Sequence, residues 1–67
     1  MPAKSQRDVM REIFRECRGD SSLTIKRYAQ AERAGQAQRN RNAYGLSAEE
    51  YATALLRDGL AKGWLRL

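Results

Sequence analysis

Apolar residues recur at helical spacing in the first part of the chain. Five of them follow an i, i+1, i+4, i+5, i+8 pattern: Val9, Met10, Ile13, Phe14 and Cys17. This spacing gathers them on one face of an α-helix. Ser5 stands before the run and can cap its first backbone N–H groups, and Asp8 follows three residues later, as in a capping box. The pattern predicts a first helix that begins at Ser5 and ends at Gly19.

A second helical pattern begins between Ser22 and Thr24. Its apolar positions recur at helical spacing and are Ile25, Tyr28, Ala29 and either Ala31 or Glu32. The β-branched residues of the run LTIKRY leave a short strand as an alternative. The Ala-rich run YAQAERA that follows favours a helix. We expect Gly35 either to end this helix or to weaken it.

The stretch GLSAEEYATALLRDGL, residues 45–60, carries the clearest helix signals. Ser47 and Glu50 have the spacing of a capping box, and Leu46 is placed to pack on Tyr51 as a hydrophobic staple. Gly45 is suited to close any helix that ends at the preceding tyrosine. The predicted apolar face of this third helix consists of Tyr51, Ala52, Leu55, Leu56 and Leu60.

The C-terminal tail is less regular, because Gly59 and Gly63 interrupt it. Its large apolar residues, Trp64, Leu65 and Leu67, either cover the core or contact another chain. The sequence therefore predicts an all-α fold, in which residues 1–67 form one small basic domain of three helices with a short irregular tail. A chain of 67 residues is near the lower limit at which a hydrophobic core is stable without a disulfide or a metal. Association into a homo-oligomer is therefore an alternative way to stabilise the fold.

The composition argues against several kinds of chemistry. The chain has one cysteine, Cys17, and no histidine, which excludes an intrachain disulfide and a zinc site of the usual type. Catalytic pairings, phosphate-binding glycine loops and cofactor motifs are also missing, so we expect neither an enzyme nor a cofactor. Cys17 lies on the apolar face and is expected to be buried and inert. No apolar run approaches the roughly 20 residues of a membrane span, so we expect a cytoplasmic protein without a membrane partner.

The net charge of +5 is unevenly distributed along the chain. Residues 26–42 contain five bases and one acid, residues 1–18 contain five bases and three acids, and residues 45–67 are neutral. A positive balance favours polyanions as partners, chiefly nucleic acids. We therefore expect a polyanion to bind the first two thirds of the chain.

Bases and acids form separate rows on the predicted first helix. At roughly 100° per residue, one row holds Lys4, Arg7, Arg11, Arg15 and Arg18, and the next holds Asp8, Glu12 and Glu16. One interpretation is a solvated helix with ion pairs between Asp8 and Arg11 and between Glu12 and Arg15. The other is a basic ridge that follows phosphates, because like charges at i, i+4 do not favour a helix.

The segment GQAQRNRN, residues 35–42, has nothing large to bury. It is either a surface loop or a binding segment, because Arg, Asn and Gln make paired hydrogen bonds to base edges. The predicted phosphate-binding residues are Arg11, Arg15, Lys26, Arg27, Arg33, Arg39 and Arg41, and the candidates for base contact are Asn40 and Asn42.

The order of elements, with the turn YGLS leading into a helix, resembles helix-turn-helix and ribbon-helix-helix DNA-binding proteins. The likeness covers about a quarter of the chain, and the stretch before this turn is too long and polar for a plain helix-turn-helix. The sequence predicts non-enzymatic binding of nucleic acid, DNA rather than RNA, through the first helix and residues 26–42. The alternative is a protein–protein adaptor or a homodimer that uses Phe14, Trp64 and Leu67.

Overall fold

Three α-helices make up most of the computed structural model, which describes residues 4–37 and 45–67. In chain order they are α1 (Gln6–Glu16), α2 (Ser21–Arg33) and α3 (Ala48–Lys62). The helices surround one hydrophobic core, and each of them contacts the other two. The two described ranges contain no β-strand beyond one isolated bridge, between Lys4 and Ala37. The predicted all-α three-helix fold is confirmed.

The start of α1 agrees with the prediction, and its last residue, Glu16, lies shortly before the predicted stop at Gly19. The Ser5 hydroxyl caps the helix by accepting a hydrogen bond from the Asp8 backbone N at 3.3 Å. The Asp8 carboxylate pairs with Arg11 at 3.5 Å. At the other end, Arg18 (φ 54°) and Gly19 (φ 81°) both take the left-handed conformation and turn the chain out of the helix. The predicted apolar face is buried in the core, and Cys17 is buried with it.

α2 begins earlier than predicted, at Ser21, because Asp20 is its N-cap. The Asp20 Oδ1 accepts a hydrogen bond from the Leu23 backbone N at 3.0 Å. The strand alternative for residues 23–28 is therefore wrong, since this run lies inside the helix. Gly35 was expected either to end α2 or to weaken it. It lies just after the end of the helix, with a left-handed φ of 79°, so the first of these expectations is confirmed.

α3 begins with the predicted capping box. The Ser47 Oγ accepts a hydrogen bond from the Glu50 backbone N at 3.1 Å, and the Glu50 Oε1 accepts one from the Ser47 backbone N at 2.9 Å. Gly45 has the left-handed φ expected of it, 66°. A helix closed by Gly45 would lie outside the described residues, and the staple between Leu46 and Tyr51 stays a prediction.

The buried face of α3 differs from the predicted one. Its buried residues are mostly small and are Ala48, Ala52, Leu56 and Gly59. Tyr51 and Leu55 are half-buried against the core, and Leu60 is 48% exposed. The prediction placed Leu60 in the core, and it was wrong because the C-terminal tail occupies the neighbouring position over Gly59.

The C-terminal tail folds back over α3. The Leu65 backbone N donates a hydrogen bond to the Gly59 carbonyl at 3.1 Å, and the Leu65 side chain is 2% exposed. Trp64 packs against the same core and donates from Nε1 to the Asp58 carboxylate at 3.2 Å. Leu67, in contrast, is 78% exposed. Two of the three apolar tail residues therefore cover the protein's own core.

Candidate nucleic-acid interface

The proposed basic ridge on α1 begins with a base that is paired with a carboxylate. Lys4 Nζ lies 2.7 Å from the Glu12 carboxylate, and this partner raises the pKa of Lys4. The predicted pair between Glu12 and Arg15 is therefore replaced by a pair with a residue outside the helix. The physical reason is the bridge between Lys4 and Ala37, which fixes the chain before α1.

Two further bases of this ridge hold the C-terminal tail. The Arg11 Nε donates to the Trp64 carbonyl at 3.0 Å, and the Arg11 guanidinium lies 5.8 Å from the centre of the indole ring. The Arg7 guanidinium lies 5.0 Å from the same ring, within the range of cation–π attraction. A phosphate at Arg11 would compete with these contacts and with the Asp8 carboxylate.

Arg15 is exposed beside a cleft of mixed charge. The cleft has a volume of about 310 Å³ and is lined by Lys4, Asp8, Arg11, Glu12 and Arg15. Because the two carboxylates lie among the three bases, the solvent face of α1 does not present an unbroken positive surface.

The solvent face of α2 has no such acids. Glu32, the single acidic residue of this helix, is 3% exposed and faces the core near Tyr28 and Tyr51. Burial is the main cause of the raised pKa of both tyrosines, and the Glu32 charge adds to it. With Glu32 turned inward, the charged residues on the solvent side of α2 are all bases.

These bases are the predicted residues Lys26, Arg27 and Arg33, all of them exposed. Gln30 is exposed between them, one helical turn after Lys26. Gln30 is not among the residues predicted from the sequence, although its i, i+4 spacing from Lys26 is plain in the sequence. The spacing of Lys26 and Gln30 indicates a basic face only if Glu32 points into the core, and the sequence does not show this direction.

Arg33 is paired, whereas Lys26 and Arg27 have no ion pair within the two described ranges. The Arg33 Nη2 lies 2.7 and 2.8 Å from the two carboxylate oxygens of Glu49 on α3, and this pair raises the pKa of Arg33. Both side chains are about half exposed, at 54% and 51%. Solvent screening weakens a pair of this kind, so a phosphate can compete for the guanidinium.

A cleft of about 350 Å³ runs along one side of this face. Its lining residues come from α1, α2 and the turn after α2, and they are Ile13, Glu16, Arg27, Gln30, Ala31, Ala34 and Gln36. The short side chains of Ala31 and Ala34 leave the space beside Arg27 and Gln30.

The remaining predicted site residues, Arg39, Asn40, Arg41 and Asn42, lie outside the described residues. Their role in binding stays a prediction. The described chain ends before them at Ala37, which is buried in the core and bridged to Lys4.

No family model matches the chain, and no curated protein or solved structure is significantly similar to it. Among residues 4–37 and 45–67, no group of three or more acidic or cysteine side chains is placed to hold a metal ion. No helix in these ranges is long and apolar enough to cross a membrane.

Proposed function

We propose that this protein binds nucleic acid without catalysis, DNA rather than RNA, through the solvent face of α2 and the polar segment of residues 35–42. The observation that carries this proposal is the burial of Glu32, which leaves α2 with bases alone as charged groups on its exposed side. Residues 35–42 follow α2 in the sequence and add Arg39 and Arg41.

The state of the individual bases supports α2 over α1 as the main contact. Lys26 and Arg27 are exposed without an intramolecular ion pair in the described ranges, so they bind a phosphate without breaking one. Arg11, in contrast, is held by Trp64 and Asp8. Lysine and arginine contacts to phosphate supply most of the affinity in binding that does not depend on sequence.

The test is a titration of labelled duplex DNA with the protein over a series of salt concentrations. The logarithm of the affinity is expected to fall with the logarithm of salt by about 0.9 for each phosphate contact. The double variant Lys26→Ala with Arg27→Ala is expected to bind more weakly and to lower this slope by up to about two units.

The matched control is the double variant Arg57→Ala with Arg66→Ala. It also removes two positive charges, from exposed positions in the neutral C-terminal third of the chain. We expect this variant to bind almost as the wild type does. Equal losses in both double variants would mean that net charge, rather than the α2 face, determines binding. A wild-type protein without affinity for DNA or RNA at low salt would refute the proposal.

The adaptor alternative would then take its place, and of the residues first expected for it only Leu67 is well exposed. Phe14 is 5% exposed and belongs to the core, and Trp64 is half-buried beneath Arg7 and Arg11. The exposed apolar groups of the tail side are Leu60 and Leu67. A complex that is insensitive to salt and is lost in Leu67→Ser would support this alternative.

A further inference from the structure

Bases flank the solvent face of α2 on both sides of a neutral centre. At about 100° per residue, Lys26 and Arg33 lie about 40° and 60° to one side of Gln30, and Arg27 lies about 60° to the other. Leu23 and Ala34, both exposed, lie within about 40° of Gln30. Such an arrangement suits a groove with a phosphate backbone on each edge and base edges at its floor.

The dimensions of α2 distinguish between the grooves that it can enter. Its 13 residues make a helix about 20 Å long. The major groove of B-form DNA is about 12 Å wide and admits an α-helix. The major groove of A-form RNA is too deep and narrow for side chains to read.

We propose that α2 is a recognition helix for the major groove of duplex DNA, in which Gln30 contacts a base edge while Lys26 and Arg27 contact the two phosphate backbones. This inference rests on the proposed function and adds a specificity-determining residue to it. The amide of Gln30 offers a donor and an acceptor together, which match the N7 acceptor and N6 donor of adenine.

The cleft beside Gln30 gives this contact room. Gln30 and Arg27 line it together with the short side chains of Ala31 and Ala34, so a base edge can approach the helix backbone closely. The Glu16 carboxylate also lines the cleft and repels a phosphate placed inside it. The cleft therefore suits base edges, and the phosphate contacts of Arg27 lie at its rim.

The experiment begins with selection of preferred sequences from a randomised duplex DNA library by the full-length wild-type protein. Affinities are then measured for the selected duplex, for single base-pair substitutions of it and for an RNA duplex of the same sequence. Gln30→Ala is expected to lose the preference for adenine at one position by roughly 5- to 150-fold, with little change in affinity for unselected DNA. Gln36→Ala, a change at another exposed glutamine of the same cleft, is expected to keep that preference.

A second variant, Gln30→Glu, replaces the amide donor with a second acceptor. Its preference at the same position is expected to move from adenine toward cytosine, whose amino group donates to a carboxylate. Both changes are at an exposed helical position, and circular dichroism verifies that the helices are retained.

Three results would refute the proposal that α2 is a recognition helix without refuting nucleic-acid binding. They are the absence of a sequence preference in the wild type, an unchanged preference in Gln30→Ala, and equal affinity for the RNA duplex and the DNA duplex. A protein that binds no nucleic acid in any arm would overturn both proposals. If Gln30→Ala loses affinity equally for all sequences, Gln30 contacts the DNA backbone rather than a base edge, which also contradicts the proposal.

Discussion

Ser47 fixes the start of α3 through hydrogen bonds in both directions. Its hydroxyl accepts from the Glu50 backbone N, and its own backbone N donates to the Glu50 carboxylate. Ser47→Ala removes the first of these bonds and is expected to lower the free energy of unfolding by about 1 kcal/mol. Thermal or chemical denaturation measures the change, and Ser22→Ala, at an exposed serine inside α2, serves as the control with little expected effect. Equal stability of Ser47→Ala and the wild type would contradict the role of the cap.

Glu50 gives the same cap a dependence on pH. The hydrogen bond from the Ser47 backbone N is the main cause of the lowered pKa of the Glu50 carboxyl, and the Ser47 side chain lowers it further. A lowered pKa in the folded state stabilises the protein above the ordinary Glu pKa of about 4.3, and this stabilisation is lost as the pH falls through the folded-state value. Glu50→Gln keeps an acceptor that does not titrate. Its stability is therefore expected to fall less on acidification than that of the wild type, and parallel curves would refute this.

Gly59 lets the C-terminal tail pack closely against α3. A Cβ at this position would lie 2.7 Å from the Leu65 Cβ and 3.0 Å from the Trp64 ring. Helix propensity alone favours alanine over glycine by about 1 kcal/mol. Steric overlap of this kind typically costs about 1–3 kcal/mol, so Gly59→Ala is expected to destabilise the protein or to detach the tail.

Tryptophan fluorescence detects detachment of the tail directly, because Trp64 is the single tryptophan of the chain. Gly59→Ala is expected to shift the tryptophan emission to the red in the folded protein, as the ring leaves Arg7 and Arg11. Ala54→Gly, at an exposed position of α3, is the control and should lower stability without changing the emission. Increased stability and unchanged emission in Gly59→Ala would show that the tail accommodates the methyl group.

At the scale of the whole molecule, the charge of residues 35–42 is predicted to act together with the α2 face. Replacing Arg39 and Arg41 by alanine should lower the salt slope for duplex DNA by up to about two units if both contact phosphate. The melting temperature is expected to stay close to that of the wild type, because the residues between and beside the two arginines are polar. Arg57→Ala is the control in the neutral third of the chain. An unchanged slope in the double variant would confine the interface to the helices.

The local signals of the sequence determined where α1 and α3 begin and where α2 ends. Ser5 and Ser47 form hydrogen bonds within four residues of themselves, and Gly35 after α2 needs only its own backbone freedom. The turn after α1, in contrast, already begins at a residue other than glycine, Arg18, whose φ is 54°. Local signals also determined the apolar face of α1, whose period is strong enough to fix its burial. Asp20 was missed as the cap of α2 because the serines that follow it are equally suitable caps by type.

The sequence alone also determined that positive charge is concentrated in residues 26–42, but the tertiary structure decided which of these groups are available. The inward direction of Glu32, the pairing of Arg33 with Glu49 on α3 and the bond from Arg11 to Trp64, 53 residues away, all depend on how the helices pack. The same packing placed the tail over Gly59 and left Leu60 outside the core. A helical period fixes which side chains share a face, whereas contacts between distant segments fix which face is buried and which charges are already paired.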